Sequence, residues 1–160
     1  MLARLLLVLV LIIGAAHILG GAKSWYWTYK WFDTPMHLAG GAWVALLFFY
    51  LFEERFRVFD AKKNFLFTVI IALGFVALVG ILWEFFEYFR DTFIAHLPPN
   101  TPRPHPDLYT DILKDLLNDL IGGTGAFLVW WFYFKKLSTP VNKNSFNLDQ
   151  AKPPKNQSDS

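Results

Sequence analysis

The 160-residue sequence contains no cysteine. Disulfide bonds, thiolate metal ligands and cysteine nucleophiles are therefore excluded. Charged residues are also scarce, at 18% of the chain, whereas soluble domains carry about 25%. The formal net charge is only +2, which gives no support for a nucleic-acid partner. No nucleophilic-serine motif, Walker loop, HExxH sequence or dinucleotide-binding fingerprint is present. The hydrophobic content of 54%, together with the low charge, indicates a membrane protein.

Four apolar runs account for this hydrophobic content, at residues 5–20, 35–52, 65–88 and 116–134. A helix that crosses a bilayer needs about 20 mostly apolar residues, with a range of roughly 17–25, and the last three runs reach that range. The sequence therefore predicts an all-α fold, a polytopic membrane protein with a bundle of four transmembrane helices. We expect one domain over residues 1–137, followed by a polar, disordered cytoplasmic tail at residues 138–160.

The first run is shorter than the others and has two interpretations. Arg4, an apolar core and the small residues Gly20, Gly21 and Ala22 could form a secretory signal peptide. The absence of a clear A-x-A cleavage site favours an uncleaved anchor helix instead. His17 lies in this run without an obvious partner, and we interpret it as structural.

Lysine and arginine predict the orientation of the helices. If all four runs span, eight of these residues lie near helix ends on one side of the membrane: Arg4, Arg55, Arg57, Lys62, Lys63, Lys135, Lys136 and Lys143. Fewer lie on the other side, among them Lys23, Lys30, Arg90 and Arg103. Because cytoplasmic loops are enriched in basic residues, both termini should be cytoplasmic, in a multi-pass protein of the inner (plasma) membrane. The proline-rich stretch 90–110 should form an extended loop over the outer face.

Three groups of polar residues lie in or beside these spans, all toward the outer side. Asp33 and His37 begin the second span, Glu84 and Glu87 end the third, and Asp111, Asp115, Asn118 and Asp119 open the fourth. Spacings of three and four place the members of each group on one helix face. A charge at the centre of a membrane helix costs about 2.5–3.5 kcal/mol on insertion scales, so Glu84 and Asp119 should face the bundle interior.

Carboxylates with one imidazole suit a hard or borderline divalent cation such as Mg²⁺, Mn²⁺, Zn²⁺ or Fe²⁺. The candidate metal ligands are Asp33, His37, Glu84, Glu87, Asp111 and Asp115, with Asn118 and Asp119 behind them. The same groups could perform acid–base chemistry, for which Glu84, Glu87 and Asp115 are the catalytic candidates. Carboxylates in the first turns of a helix, such as Asp111 and Asp115, could also simply cap N–H groups.

Several strings together resemble a known family. They are FDTPMHLAGG at 32–41, WEFFEY at 83–88, and Asp111 and Asp115 followed by Gly122. They resemble the YjdF-like family of inner-membrane proteins and, more broadly, VanZ-like membrane proteins, over about Trp31 to Phe134. The resemblance implies a site formed by the aspartate–histidine, Glu-x-x-Glu and Asp-x-x-x-Asp segments, to which Asn118 also belongs. VanZ-like proteins are associated with glycopeptide resistance, so the resemblance also implies a role at the cell envelope.

Three functional hypotheses follow. The first is a metal-dependent enzyme that acts on a lipid or lipid-linked envelope substrate at the outer leaflet. The second is a membrane protein that binds a cation or proton without catalysis, and the third is a structural or assembly subunit. The inner halves of the predicted helices are almost wholly apolar, which argues against a polar path through the membrane. The expected partners are the bilayer and a lipid-linked substrate, and the expected cofactor is a divalent metal ion.

Overall fold

A computed structural model describes residues 2–58, 60–61, 63–94 and 108–137, and all regular secondary structure in them is helical. The helices are α1 (Leu2–Ala22), the short α2 (Trp25–Thr28), α3 (Asp33–Phe49), α4 (Phe65–Phe89) and α5 (Leu108–Leu137). α3 continues as a π-helical segment at Tyr50–Arg55, and α4 as another at Arg90–Ile94. The predicted all-α fold is confirmed for these residues.

Among the described residues, three helices are long and apolar enough to cross a membrane. They are α1, the continuous helix Asp33–Arg55, and α4. Each contains one of the first three predicted spans and extends beyond it, because aromatic and polar residues at the ends of the apolar run continue the helix. α5 is 30 residues long and contains the predicted fourth span, but its first half also carries Asp111, Lys114, Asp115 and Asp119.

Both ends of the stretch 90–110, which we predicted to be an extended loop, are helical. Helical structure continues through Ile94 and resumes at Leu108, so the proline-rich composition does not keep the flanking residues extended. The helix-blocking prolines themselves all fall between these two points, where they cannot interrupt either helix. The rest of that loop and the predicted tail at 138–160 lie outside the described residues.

α3 lies at the centre of the bundle and packs against α1, α4 and α5. Its closest neighbour is α5, and glycine makes this approach possible. A Cβ atom added at Gly41 would overlap the backbone of Asp119, and one added at Gly122 would overlap the backbone carbonyl of Leu38. Small residues at such crossings let two membrane helices touch along their backbones. The first half of α5 therefore lies directly beside the start of α3.

Aromatic side chains fill the opposite end of the bundle. Phe49 of α3 stacks on Trp130 of α5 with ring centroids 3.8 Å apart and planes within 5°. Phe48 and Phe127 are buried in the same cluster. Offset and stacked aromatic pairs add about 0.5–1.5 kcal/mol to the burial of their surface. This cluster packs α3 against α5 at one end of the bundle, and the polar residues lie at the other end.

α1 is joined to the bundle through α3. The indole Nε1 of Trp43 donates a hydrogen bond of 2.9 Å to the backbone carbonyl of Leu6. Leu2 and Leu6 are buried against the aromatic cluster, whereas most other residues of α1 expose apolar side chains. An exposed apolar surface of this kind on a long helix is what contact with lipid requires.

Candidate metal centre

His37 is the centre of the polar end of the bundle. It lies one turn into α3 and is only 5% exposed. Its Nε2 atom lies 3.6 Å from Oδ1 of Asp33 and 4.0 Å from Oδ2 of Asp115. Its Nδ1 atom lies 3.4 Å from Oδ1 of Asp119. Carboxylates from α3 and α5 therefore flank both nitrogens of one buried imidazole ring.

In the part of the chain that the structure describes, two sets of side chains could hold a metal ion. Asp33, His37 and Asp115 form the first, and His37, Glu84 and Glu87 form the second, with ligand atoms within 4.8 Å of one another in each set. In the first set the separations of 3.6 and 4.0 Å are too wide for good hydrogen bonds. They are close to the ligand–ligand edge of a tetrahedral site, roughly 3.3 Å for metal–ligand bonds of about 2.0–2.1 Å.

Asp119 lies behind the histidine, between α3 and α4. Its Oδ1 atom is 3.9 Å from the position of a Cβ at Gly40, and its Oδ2 atom is 2.7 Å from that position at Gly80. Glycine on both neighbouring helices therefore makes room for this carboxylate. Metal-binding histidines usually donate their second ring N–H to such a group, which fixes the ring orientation.

Several buried polar atoms in the site have no hydrogen-bond partner within the described part of the chain. They include Oε1 of Glu84, Oδ1 of Asp115 and Nδ2 of Asn118. The Nζ atom of Lys114 lies 3.6 Å from Oδ1 of Asp115, beyond hydrogen-bond distance. Unpaired buried polar atoms are uncommon in folded proteins, and they mark places where an ion, a ligand or water completes the bonding.

The structure brings together most, but not all, of the site residues that were predicted from the sequence. Asp33, His37, Glu84, Glu87 and Asp115 contribute to the two metal-capable sets, and Asp119 and Asn118 are buried beside them. Glu87 also pairs with Arg90 of the π-helical segment, at 3.6 Å between Oε1 and Nη1. Asp111 belongs to neither set among the described residues, so its role as a ligand stays a prediction.

Comparison with known families gives one match. The family described as "Predicted membrane protein (DUF2238)" matches residues 1–136. The chain belongs to the DUF2238 family. The match to DUF2238 confirms a membrane protein, and together with three membrane-length helices it supports a multi-pass location. The description of DUF2238 states neither an activity nor the YjdF-like and VanZ-like names. No curated protein and no solved structure matches this DUF2238 chain.

A cavity of about 290 Å³ adjoins the site between α1, α3 and α4 of this DUF2238 protein. His37, Asp33, Glu87 and Asp119 contribute to its lining. So do His17 of α1 and Tyr26 of α2, which sequence analysis did not connect with the site.

The histidine that sequence analysis left without a partner has one. Nδ1 of His17 lies 2.7 Å from the hydroxyl of Tyr26, and its ring meets Trp83 of α4 edge-on, with centroids 5.7 Å apart. Tyr26 follows a turn at the end of α1, so no helical spacing could have predicted the pair. Gly80 was also missed, although its place four residues before Glu84 sets it on the face of α4 that carries the acidic residues.

Proposed function

We propose that this protein is a metal-dependent membrane enzyme that acts on a lipid or lipid-linked envelope substrate. The observation that carries the proposal is the convergence of Asp33, His37 and Asp115 from two helices, with Asp119 held behind the histidine. An imidazole combined with carboxylates suits Zn²⁺, Mn²⁺ or Fe²⁺. A site between membrane helices meets its substrate from the bilayer, which supports a lipid as the substrate class.

The residues divide naturally into roles. Asp33, His37 and Asp115 are the ligands, and three protein ligands leave a position open for water or substrate, as catalytic sites do. A bound divalent cation would supply Lewis-acid activation of that water or of a substrate oxygen. Glu84, with one carboxylate oxygen buried and without a hydrogen-bond partner in the described residues, is the candidate general base. Glu87 and Asp111 stand as further candidate ligands, and Asn118, three residues after Asp115 on α5, is a candidate for the groups behind the ligands.

The site belongs, in this proposal, to the outer half of the membrane of the cell envelope, with α5 as a fourth span. The unequal distribution of lysine and arginine supports cytoplasmic termini. The burial of Leu2 and Leu6, and the hydrogen bond from Trp43 to α1, support α1 as a retained helix. The family match over residues 1–136, which includes α1, supports the same conclusion.

Single cysteines test the orientation, because the native chain has none. Ala22 is exposed at the polar end of the bundle and Glu54 is exposed at the opposite end. In intact cells, a membrane-impermeant thiol reagent is expected to label Ala22→Cys, and to label Glu54→Cys only after permeabilisation. Labelling in the reverse pattern would place the site on the cytoplasmic side and contradict the proposed orientation.

Elemental analysis of the detergent-purified protein tests the metal. We expect about one ion per chain in the wild type after reconstitution with Zn²⁺, Mn²⁺ or Fe²⁺. Asp115→Asn removes a ligand of the first set only, and Glu84→Gln removes one of the second set only. Loss of the ion in folded Asp115→Asn, with retention in Glu84→Gln, is the expected result.

The matched control for these substitutions is Glu54→Gln. Glu54 is exposed in the π-helical segment that continues α3, so this variant loses one carboxylate without touching the site and should keep its ion. If Asp115→Asn kept the ion and Glu84→Gln lost it, the ion would instead be bound by the second set, which includes Glu84. A wild type that binds no ion under any of these conditions would eliminate the proposed function.

A further inference from the structure

The cavity beside the metal centre has two chemically distinct parts. Apolar side chains form most of its wall, among them Val10, Ile13, Val44, Val76 and Val79. The polar groups are the site residues together with His17 and Tyr26. Ligand pockets are typically apolar with a few polar groups that fix orientation.

The cavity faces the bilayer. It is open on one side, and Val10 on its wall is 37% exposed. α1 packs along α3, with far less contact to α4 in the described residues, where the rings of His17 and Trp83 meet. The helices around it are mostly unburied and are long and apolar enough to cross a membrane, so their apolar surface is suited to hydrocarbon. The molecule that reaches this opening from the membrane is therefore a lipid chain.

The polar part of the cavity lies near the end of α1. His17 is five residues before the end of α1, which places it about 7 Å inside the helix end at 1.5 Å per residue. The headgroup layer is roughly 5–8 Å thick on each side of a hydrocarbon core of about 30 Å. A helix that ends at the outer edge of the headgroup layer carries a residue at this distance near the boundary between the two layers, where the ester linkages of glycerolipids are.

His17 supplies a hydrogen-bond donor among acceptors. Burial raises the pKa of Tyr26 above its usual value, so its hydroxyl stays protonated and donates to Nδ1 of His17 in the tautomer whose proton is on Nε2. A neutral imidazole that accepts at Nδ1 carries its own proton on Nε2, which then serves as a donor. The neighbouring carboxylates of Asp33, Glu87 and Asp119 are hydrogen-bond acceptors. They can therefore bind a metal ion but cannot donate a hydrogen bond to an ester oxygen of a lipid.

We infer that the cavity between α1, α3 and α4 binds one ester-linked acyl chain of a membrane glycerolipid, with an ester oxygen accepting a hydrogen bond from His17. This inference deepens the proposed function, on which it rests for the substrate class of the metal centre. The chain lies along the valine-lined wall, and the ester group faces the side of the site where Asp33 and His37 lie. The pair formed by His17 and Tyr26 positions the lipid and is not part of the metal set.

The test is native mass spectrometry of delipidated, chelator-treated protein titrated with dioleoyl phosphatidylcholine or with its diether analogue, which lacks both ester carbonyls. The wild type is expected to bind one diester lipid about fivefold more tightly than the diether, the effect of one hydrogen bond. His17→Phe keeps an aromatic ring against Trp83 and should abolish this preference. An equal affinity of the wild type for both lipids would overturn the role of His17.

Filling the cavity tests where the chain binds. Among the described residues, no atom lies within 4 Å of a Cβ at Gly14, which lines the cavity, or at Gly21, which does not. Gly14→Leu should lose the bound lipid, whereas the matched control Gly21→Leu should keep it. Val10→Phe fills the same wall and gives the same result if Gly14→Leu does not fold. Equal lipid binding by the two leucine variants would place the lipid elsewhere and overturn the inference.

These measurements separate the inference from the proposed function, because they are made without metal. If the protein binds lipid in the cavity but takes up no metal, the inference stands and the proposed metal-dependent enzyme is contradicted. If the protein binds a stoichiometric metal but Gly14→Leu leaves its lipid binding unchanged, the proposed metal centre stands and the inference about the cavity is overturned.

Discussion

Gly41→Ala is expected to destabilise the protein by about 3 kcal/mol, the upper part of the usual range for overpacking. The new Cβ would overlap the backbone of Asp119 across the contact between α3 and α5. A backbone cannot rotate away as the tip of a side chain can, so the two helices must move apart. Unfolding in a mixed-detergent titration measures the loss.

The same substitution should weaken the metal site, because it moves Asp119 away from Nδ1 of His37. Loss of a group that orients a ligand typically lowers metal affinity by about 10–100-fold. Gly122→Ala, which meets the carbonyl of Leu38 from the other side, should reproduce both effects.

Gly125→Ala is the matched control for these two variants. It lies on α5 near Gly122, but no described atom lies within 4 Å of its Cβ position. Alanine favours helix over glycine by up to about 1 kcal/mol, so this variant should be as stable as the wild type or slightly more stable. If Gly41→Ala behaved like Gly125→Ala, the close contact between α3 and α5 would be wrong.

The sequence predicted correctly those features that depend on a single helix, such as its length and which residues share its face. Hydropathy located the three membrane-length helices to within a few residues, because length and apolar content alone determine which segments can span. The spacing of Asp33 and His37, and of Glu84 and Glu87, indicated a shared face for each pair. Gly41 and Gly122 stand in the strings that resemble the known family, and the structure places both at the close contact between α3 and α5.

The sequence was uninformative where the answer depends on how helices rotate against one another. Asp111 and Asp115 share a spacing of four, yet among the described residues only Asp115 joins a metal-capable set. Asp111 lies one turn further along α5 from the contact at Asp119 and Gly122, so the shared face alone could not separate the two. The partner of His17 lies beyond a turn, at Tyr26, and no periodicity connects the two. Such contacts are tertiary, so they become visible only after the helices are packed.

Metal-dependent stability should be the clearest single signature of the centre, and His37 is the residue that decides it. His37 belongs to both metal-capable sets, so His37→Leu should abolish metal binding whichever set holds the ion. A ligand that binds only the folded state stabilises it by about 2.7 kcal/mol at a free concentration 100 times its Kd. The wild type should therefore gain about that much on saturation with Zn²⁺, measured by thermal unfolding in detergent, and His37→Leu should gain nothing.

His37→Leu should also lower the stability of the metal-free protein. Nδ1 of His37 lies 3.4 Å from Asp119, and its Nε2 lies 4.0 Å from Asp115, which also has Lys114 at 3.6 Å. Both carboxylates are less than 10% exposed. Removing one partner of a buried charged group typically costs about 3–5 kcal/mol, because the other is left uncompensated. The triple variant His37→Leu, Asp115→Leu, Asp119→Leu should recover much of that loss, since it buries no carboxylate at these positions. A metal-free His37→Leu protein as stable as the wild type would mean that the carboxylates find other partners, and that the imidazole does not organise this end of the bundle.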